Sequence, residues 1–320
     1  MGEGEVRDAE RMNAEYSRVR HFLKQRAERA LSSSGAGWVM RHRVRGKRLI
    51  LAYHGIIPDG VPPVGVRALF IAERDFATQL DTLLELVDVA PLDRIDEPGD
   101  GRPRVAITFD DAYRGAVTVG LQELTKRGLP ATIFVSPARL NGHVFWWDAL
   151  ADSRGTLDDV IRRCALNEYR GSDERVRRWA AAAALPALDR LPAYAQTATD
   201  AELRAGLALS GITVGSHTWS HANLASLSAA EVIIEVERSR DWLRAEFGEK
   251  AIDWLAYPYG LDSREAHHAA AEAGYRGALR IAGGWHRPSD VSPFARPRLS
   301  VPAGVSIAGF RARLLGAVRA

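Results

Sequence analysis

Along most of the chain, short apolar runs of five or six residues alternate with longer stretches in which apolar positions recur every three or four. The first pattern suits strands buried on both faces, and the second suits helices with one face on a core. Strands are predicted at 48–55 (RLILAYHG), 104–109 (RVAITF), 131–136 (ATIFVS), 212–217 (ITVGSH), 253–258 (DWLAYP) and 275–281 (YRGALRI). Helices are predicted at 75–87, with Phe76, Leu80, Leu83, Leu84 and Val87 on one face, from the residues after 111 through Leu124, and at 229–248. A further helix precedes Gly274, a fitting stop. Strand and helix in alternation read as βα units around a parallel sheet.

Two regions break the alternation. Residues 143–210 are mostly helical in pattern and read as an insertion between the third and fourth strands, entered by the aromatic run HVFWWDAL. Trp146 and Trp147 there suit core anchors of the insertion first and ligand contacts second. Residues 1–47 form a basic arm, since 1–50 carry a net charge of +6 and the remaining 270 residues sum to −3. Within it Val19, Phe22, Leu23, Ala27, Ala30 and Leu31 recur at helical spacing among Arg20, Lys24, Arg26 and Arg29. That pattern predicts a helix packed on the outside, with weak peripheral contact to an anionic membrane through residues 15–31 as the rival reading. Residues 302–320 are expected to form a C-terminal helix.

At 320 residues and 46% hydrophobic, the chain can bury one barrel-sized core. Its single cysteine, Cys164, excludes an internal disulfide. The sequence shows no secretory signal pattern and no spanning apolar window, so a cytoplasmic protein with no transmembrane segment is expected. The arm lacks interleaved aromatics, which argues against nucleic acid as a partner.

The chemistry concentrates at strand ends. Asp110 and Asp111 follow the second strand directly, and two adjacent carboxylates there need a positive partner. GSHTWSH, residues 215–221, offers two imidazoles four apart after another strand, with Gly215 expected to relax the turn. Together they make a two-histidine, one-carboxylate constellation with open coordination positions, at the strand ends where βα barrels gather their catalytic groups.

These residues resemble the motifs of the polysaccharide deacetylase family, the NodB-homology domain of carbohydrate esterase family 4. Thr108, Phe109, Asp110 and Asp111 look like its Thr-Phe-Asp-Asp-Gly, with Ala112 for the glycine. His217 to His221 look like its His-Ser/Thr-x-x-His, and Tyr257, Pro258, Tyr259 and Gly260 like its Arg-x-Pro-Tyr, with Ala256 where the arginine would stand. The resemblance spans 48 to about 301 and implies an α/β fold, an irregular (β/α)7-type barrel.

It also implies a hydrolase that removes an N-acetyl group from an amino sugar, here in an oligosaccharide, a glycoside or a lipid-linked glycan precursor. Asp111, His217 and His221 would hold one divalent metal ion, Zn2+ first, with Co2+, Ni2+ or Mn2+ as other occupants. Asp110 would be the general base and the backbone N–H of Tyr259 the oxyanion donor. The absent arginine would be replaced by Arg298 or Arg296. The family's closing Leu-x-His is Leu299, Ser300 and Val301 here, so the general acid would be His54 or His286. Candidate substrate contacts are Trp146, Trp147, Tyr257, Trp219 and His286, while His267 and His268 read as surface. The rival readings are a carbohydrate-binding protein that has lost turnover and a sugar N-deformylase.

Overall fold

The computed structural model describes residues 44–98, 102–188, 190–281 and 283–317. The unit from Gly46 to Gly304 is built on seven parallel strands: β1 Arg48–Tyr53, β2 Arg104–Phe109, β3 Ala131–Val135, β4 Ile212–Ser216, β5 Ala251–Ala256, β6 Gly277–Ile281 and β7 Arg296–Ser300. Neighbours run in sequence order from β2 through β7, and β1 pairs with both β7 and β2, so the sheet closes into a barrel. Its registers bring Tyr53 beside Phe109 and Thr108 beside Thr132. The strands read as continuous apolar runs because both faces are covered. Ile50, Ala106, Phe134, Trp254 and Leu279 pack in one buried cluster with Leu92 and Ile95.

The six predicted strands are present, and β7 adds a seventh that the apolar pattern does not announce. Its sequence is RPRLS, with a proline and two arginines in five residues, yet four of the five are buried. Its two arginines face inward onto carboxylates, which is why a buried strand carries so polar a sequence. Gly215 also has a different reason from the one expected. It lies inside β4, where a Cβ would fall 2.5 Å from the Phe134 ring, so it makes room rather than relaxing a turn.

Around the barrel run α1 (Glu73–Leu86), α2 (Leu121–Lys126), the insertion helices α3 (Trp146–Ala149), α4 (Asp159–Asn167) and α5 (Asp173–Ala182), then α6 (Asp200–Leu207), α7 (Ala229–Phe247) and α8 (Arg264–Glu272). The apolar face predicted for the first helix is α1's buried face, with Phe76, Leu80, Leu83 and Leu86 inside and Leu84 exposed. Both α6 and α7 open with complete capping boxes, Thr199 with Glu202 and Ser228 with Glu231. A second unit takes in the chain ends, and its described helix is α9, Ile307–Leu314. The helix predicted in the basic arm, with its membrane contact through 15–31, lies outside the described residues. No helix among the described residues is long and apolar enough to cross a membrane.

Candidate active site

All seven strands are parallel, so their C-terminal ends open on one face and deliver His54 from β1, Asp110 and Asp111 from β2, His217 from β4 and the Tyr257–Gly260 turn from β5. The backbone at these positions is unusual. Asp111, Ala112, Thr218, His221 and Tyr259 all have positive φ, between 48° and 68°. Each costs on the order of 1 kcal/mol or more in a residue with a Cβ, and such costs gather where the chain must aim side chains. At Asp111 the change of hand turns the two neighbouring carboxylates in different directions.

Asp111 meets the histidines. Its Oδ1 lies 3.0 Å from Nε2 of His221 and 3.6 Å from Nε2 of His217, and all three residues are buried. Nδ1 of His217 is 2.7 Å from the carbonyl of Ala256. A carbonyl only accepts, so Nδ1 carries the proton and Nε2 is left with a lone pair directed at Asp111. Burial lowers the basicity of both imidazoles, His221 to about 3, so both are neutral. Burial raises the Asp111 carboxyl to about 6 against the opposing pull of His217 and His54, and its Oδ1 has no hydrogen-bond partner among the described residues. Three ligand atoms within 4.8 Å of one another, two of them neutral imidazole nitrogens and one an orphaned carboxylate oxygen, fit a divalent cation.

Asp110 meets an arginine instead. Arg298, from β7, donates from Nη1 to Oδ1 at 2.6 Å and from Nη2 to Oδ2 at 2.7 Å, with Nη1 also 3.2 Å from the Thr108 hydroxyl. Burial pushes the Asp110 carboxyl up, but the charge and hydrogen bonds of Arg298, with His217, outweigh it and hold the group well below the usual carboxylate range. Arg296, the other candidate for this place, pairs with Asp96 at 2.6 and 2.9 Å. His54 stands with Nε2 3.9 Å from Asp110 Oδ2, its side chain 17% exposed to the cavity. Burial lowers its basicity, while the charges of Asp110 and Asp111 raise it.

A cavity of about 650 Å³ opens over these groups and is lined also by Trp146, Trp147, Tyr259 and Ser300. Trp146 and Trp147 combine both roles weighed for them, since each is buried and each faces the cavity. The Trp147 and Tyr259 rings lie 4.9 and 4.7 Å from the His221 ring. The Tyr259 hydroxyl accepts from Trp146 Nε1 at 3.1 Å and donates to the carbonyl of Gly171 at 2.9 Å, tying the insertion to the β5 turn.

Three of the expected contacts lie elsewhere. Tyr257 is fully buried in a cluster with α7 and α8, its hydroxyl donating to the Phe294 carbonyl, because the residue after a strand end alternates back into the wall. Trp219 turns outward, stacked under Arg238 of α7 at 3.8 Å. His286 bridges the backbone of Arg48 at the start of β1, the opposite end of the barrel from Asp110, which removes it as the general acid and as a substrate contact.

Sequence reasoning overlooked Tyr113 and Asp148. The Tyr113 hydroxyl donates to Asp148 Oδ2 at 2.5 Å and accepts from Trp147 Nε1 at 3.0 Å, while Asp148 Oδ1 accepts from the Val66 N–H at 2.8 Å. A lone carboxylate after three aromatics was the available sign.

The profile of the family described as polysaccharide deacetylase matches residues 98–278. No curated protein matches the chain at a significant level. Among solved structures, the deacetylase PplD of Streptococcus pyogenes, in complex with acetate, is 18% identical, with 84% of this chain and 99% of that one covered at a TM-score of 0.60. IcaB from Ammonifex degensii is 19% identical over 84% of this chain and 97% of its own, at a TM-score of 0.56. A polysaccharide deacetylase from Bacillus cereus is 16% identical over 84% and 69%, at 0.60. At these identities the structures establish the barrel, and the profile, covering more than half of the sequence and both the aspartate and histidine motifs, establishes that the chain belongs to the polysaccharide deacetylase family, hydrolases of carbon–nitrogen bonds other than peptide bonds.

Proposed function

We propose that the protein hydrolyses the N-acetyl group of an amino sugar within an oligosaccharide, a glycoside or a lipid-linked glycan precursor, using a divalent ion. The observation that carries this reading is the division of labour between adjacent aspartates: Asp111 completes a three-ligand cluster, and Asp110, held ionised by Arg298, stands free of it in the same cavity. Bound by Asp111, His217 and His221, the ion, Zn2+ first among candidates, would supply Lewis acidity toward the amide oxygen and acidify water.

The remaining steps belong to the chain. Asp110 takes a proton from the attacking water as the new C–O bond forms. The N–H of Tyr259 donates to the oxygen that gains charge. When the C–N bond breaks, the amine nitrogen needs a proton, and His54 supplies it. His54 is neutral at rest because of burial, so the proton reaches it from Asp110, its neighbour at 3.9 Å. Acetate and a free amine result. Arg298 on Asp110 and His54 beside it could take the parts of the absent motif arginine and closing histidine, which weighs against a non-catalytic binding protein. Acetate release from a panel of N-acetylated sugars, with and without chelator, tests the reading. Chelator-sensitive release is expected; formate release from N-formyl sugars alone would replace acetyl by formyl, and no release from either would favour binding without turnover.

A further inference from the structure

The mouth of the cavity carries more positive charge than the reaction requires. Arg67, from the segment after β1, and Arg154 and Arg162, from the insertion, all line the same cavity as Asp110 and His217. Among the described residues no carboxylate lines it besides Asp110 and Asp111, and those are committed to Arg298 and to the ligand cluster. Arg154 is offset by Asp152 at 3.2 Å, but Arg67 and Arg162 have no ion-pair partner among the described residues.

Arg67 is also seated rather than loose. Its backbone N–H donates to the Gly155 carbonyl at 3.0 Å, and its stem lies so close over Gly155 that a Cβ there would fall 2.3 Å from Cγ. Gly155 has φ +73°, a conformation in which glycine is at ease. On the far side, the Val66 N–H is held by the buried carboxylate of Asp148. The loop that follows β1 and the insertion therefore meet in one wall, and Arg67 and Arg162 both line the cavity beside it.

Deacetylation turns a neutral amide into an amine that is cationic near neutral pH. A mouth built for a neutral polymer processed at many positions would become steadily more repulsive toward its own product if lined with arginine. The same lining favours a substrate that carries negative charge near the acetamido group, since guanidinium groups bind carboxylate and phosphate through paired N–H donors.

We propose that Arg67 and Arg162, with Arg154, receive an anionic group, a carboxylate or a phosphate, of the saccharide whose acetamido group reaches Asp110, so that the substrate is an acidic glycan. This rests on the carbohydrate deacetylation proposed above. Binding is therefore measured apart from turnover, by calorimetric titration of the purified chain with three probes: chitotetraose, a tetrasaccharide alternating glucuronate with N-acetylglucosamine, and N-acetylglucosamine 1-phosphate extended by a neutral disaccharide. One or both anionic probes should bind at least about fivefold more tightly than chitotetraose, with the advantage falling as salt rises. Which of the two binds tells a uronate from a phosphate. Arg67→Gln and Arg162→Gln should each weaken the preferred probe about two- to fivefold, as expected for exposed charge pairs, and leave chitotetraose unchanged. Equal affinity for all three probes, or a preference that survives both substitutions together, overturns the inference. Acetate release from chitotetraose alongside equal binding would do so while leaving the deacetylase reading intact.

Discussion

Asp110 and Asp111 are neighbours with the same side chain and opposite surroundings, and the difference between them sets the chemistry at the residue scale. Asp110→Asn keeps the shape and the Arg298 contact of one oxygen but cannot accept a proton. It should retain metal and lose about 10²- to 10⁴-fold in kcat, which metal analysis beside acetate release checks. Arg298 acts through Asp110. Because it holds that carboxylate below the ordinary range, the base stays ionised well into acid, and the acid limb of kcat/KM lies at low pH. In Arg298→Gln the largest counterweight to burial is lost, the Asp110 carboxyl rises, and the acid limb should move to higher pH. An unmoved limb would mean that it reports another group. The choice between Arg296 and Arg298 was not legible because residues two apart in a strand share a face. What separates them is depth along the barrel: Arg298 lies nearer the C-terminal end and reaches Asp110, whereas Arg296 reaches Asp96. Side-chain pairing set that outcome, and spacing carries no trace of it.

At the scale of elements, β1 to β6 were legible because strands covered on both faces are apolar throughout, and β7 was not because its inward face carries two paired arginines. The aromatic entry to the insertion was half legible. Its tryptophans stand out in any reading, but the carboxylate that anchors them does not. Asp148 is fully buried, and burial raises its carboxyl to about 7 despite the hydrogen bonds from Tyr113 and Val66. Below about pH 4 it is protonated folded or unfolded. Between there and about 7 the unfolded chain ionises first, so stability drains away as pH rises, by on the order of 4 kcal/mol in total, and above 7 the loss is constant. Asp148→Asn removes this titration. Urea unfolding at pH 5 and pH 8 should show the wild type losing more stability between the two than the variant does. A parallel fall in both would mean that Asp148 is ionised throughout.

For the whole molecule, the barrel gathers groups from β1, β2, β4, β5 and β7 onto one face, so the ligand cluster ties distant parts of the sequence together. Asp111 and His221 are separated by 110 positions, and the cation that fits between them binds only when β2 and β4 are both in place. Without it, the buried Oδ1 of Asp111 and the buried Nδ1 of His221 have no hydrogen-bond partner among the described residues. Metal binding should therefore appear as folding stability: at a free concentration about 1,000 times Kd, the gain is about 4 kcal/mol. For a domain of this size about 1 kcal/mol moves Tm by roughly 2 °C, so Zn2+ should raise Tm by several degrees and chelator should reverse it. His217→Ala and His221→Ala should each abolish the metal-dependent part, while leaving a cooperative transition in chelator close to that of the wild type. A metal-dependent rise that persists in the double variant would place the ion elsewhere. Loss of the transition itself would show that the imidazoles hold the barrel together by packing, as the rings of Phe145, Trp147 and Tyr259 against His221 would allow. His221→Gln, which retains bulk against those rings, separates the two: it should keep the chelator-state stability and still lose most of the metal's contribution.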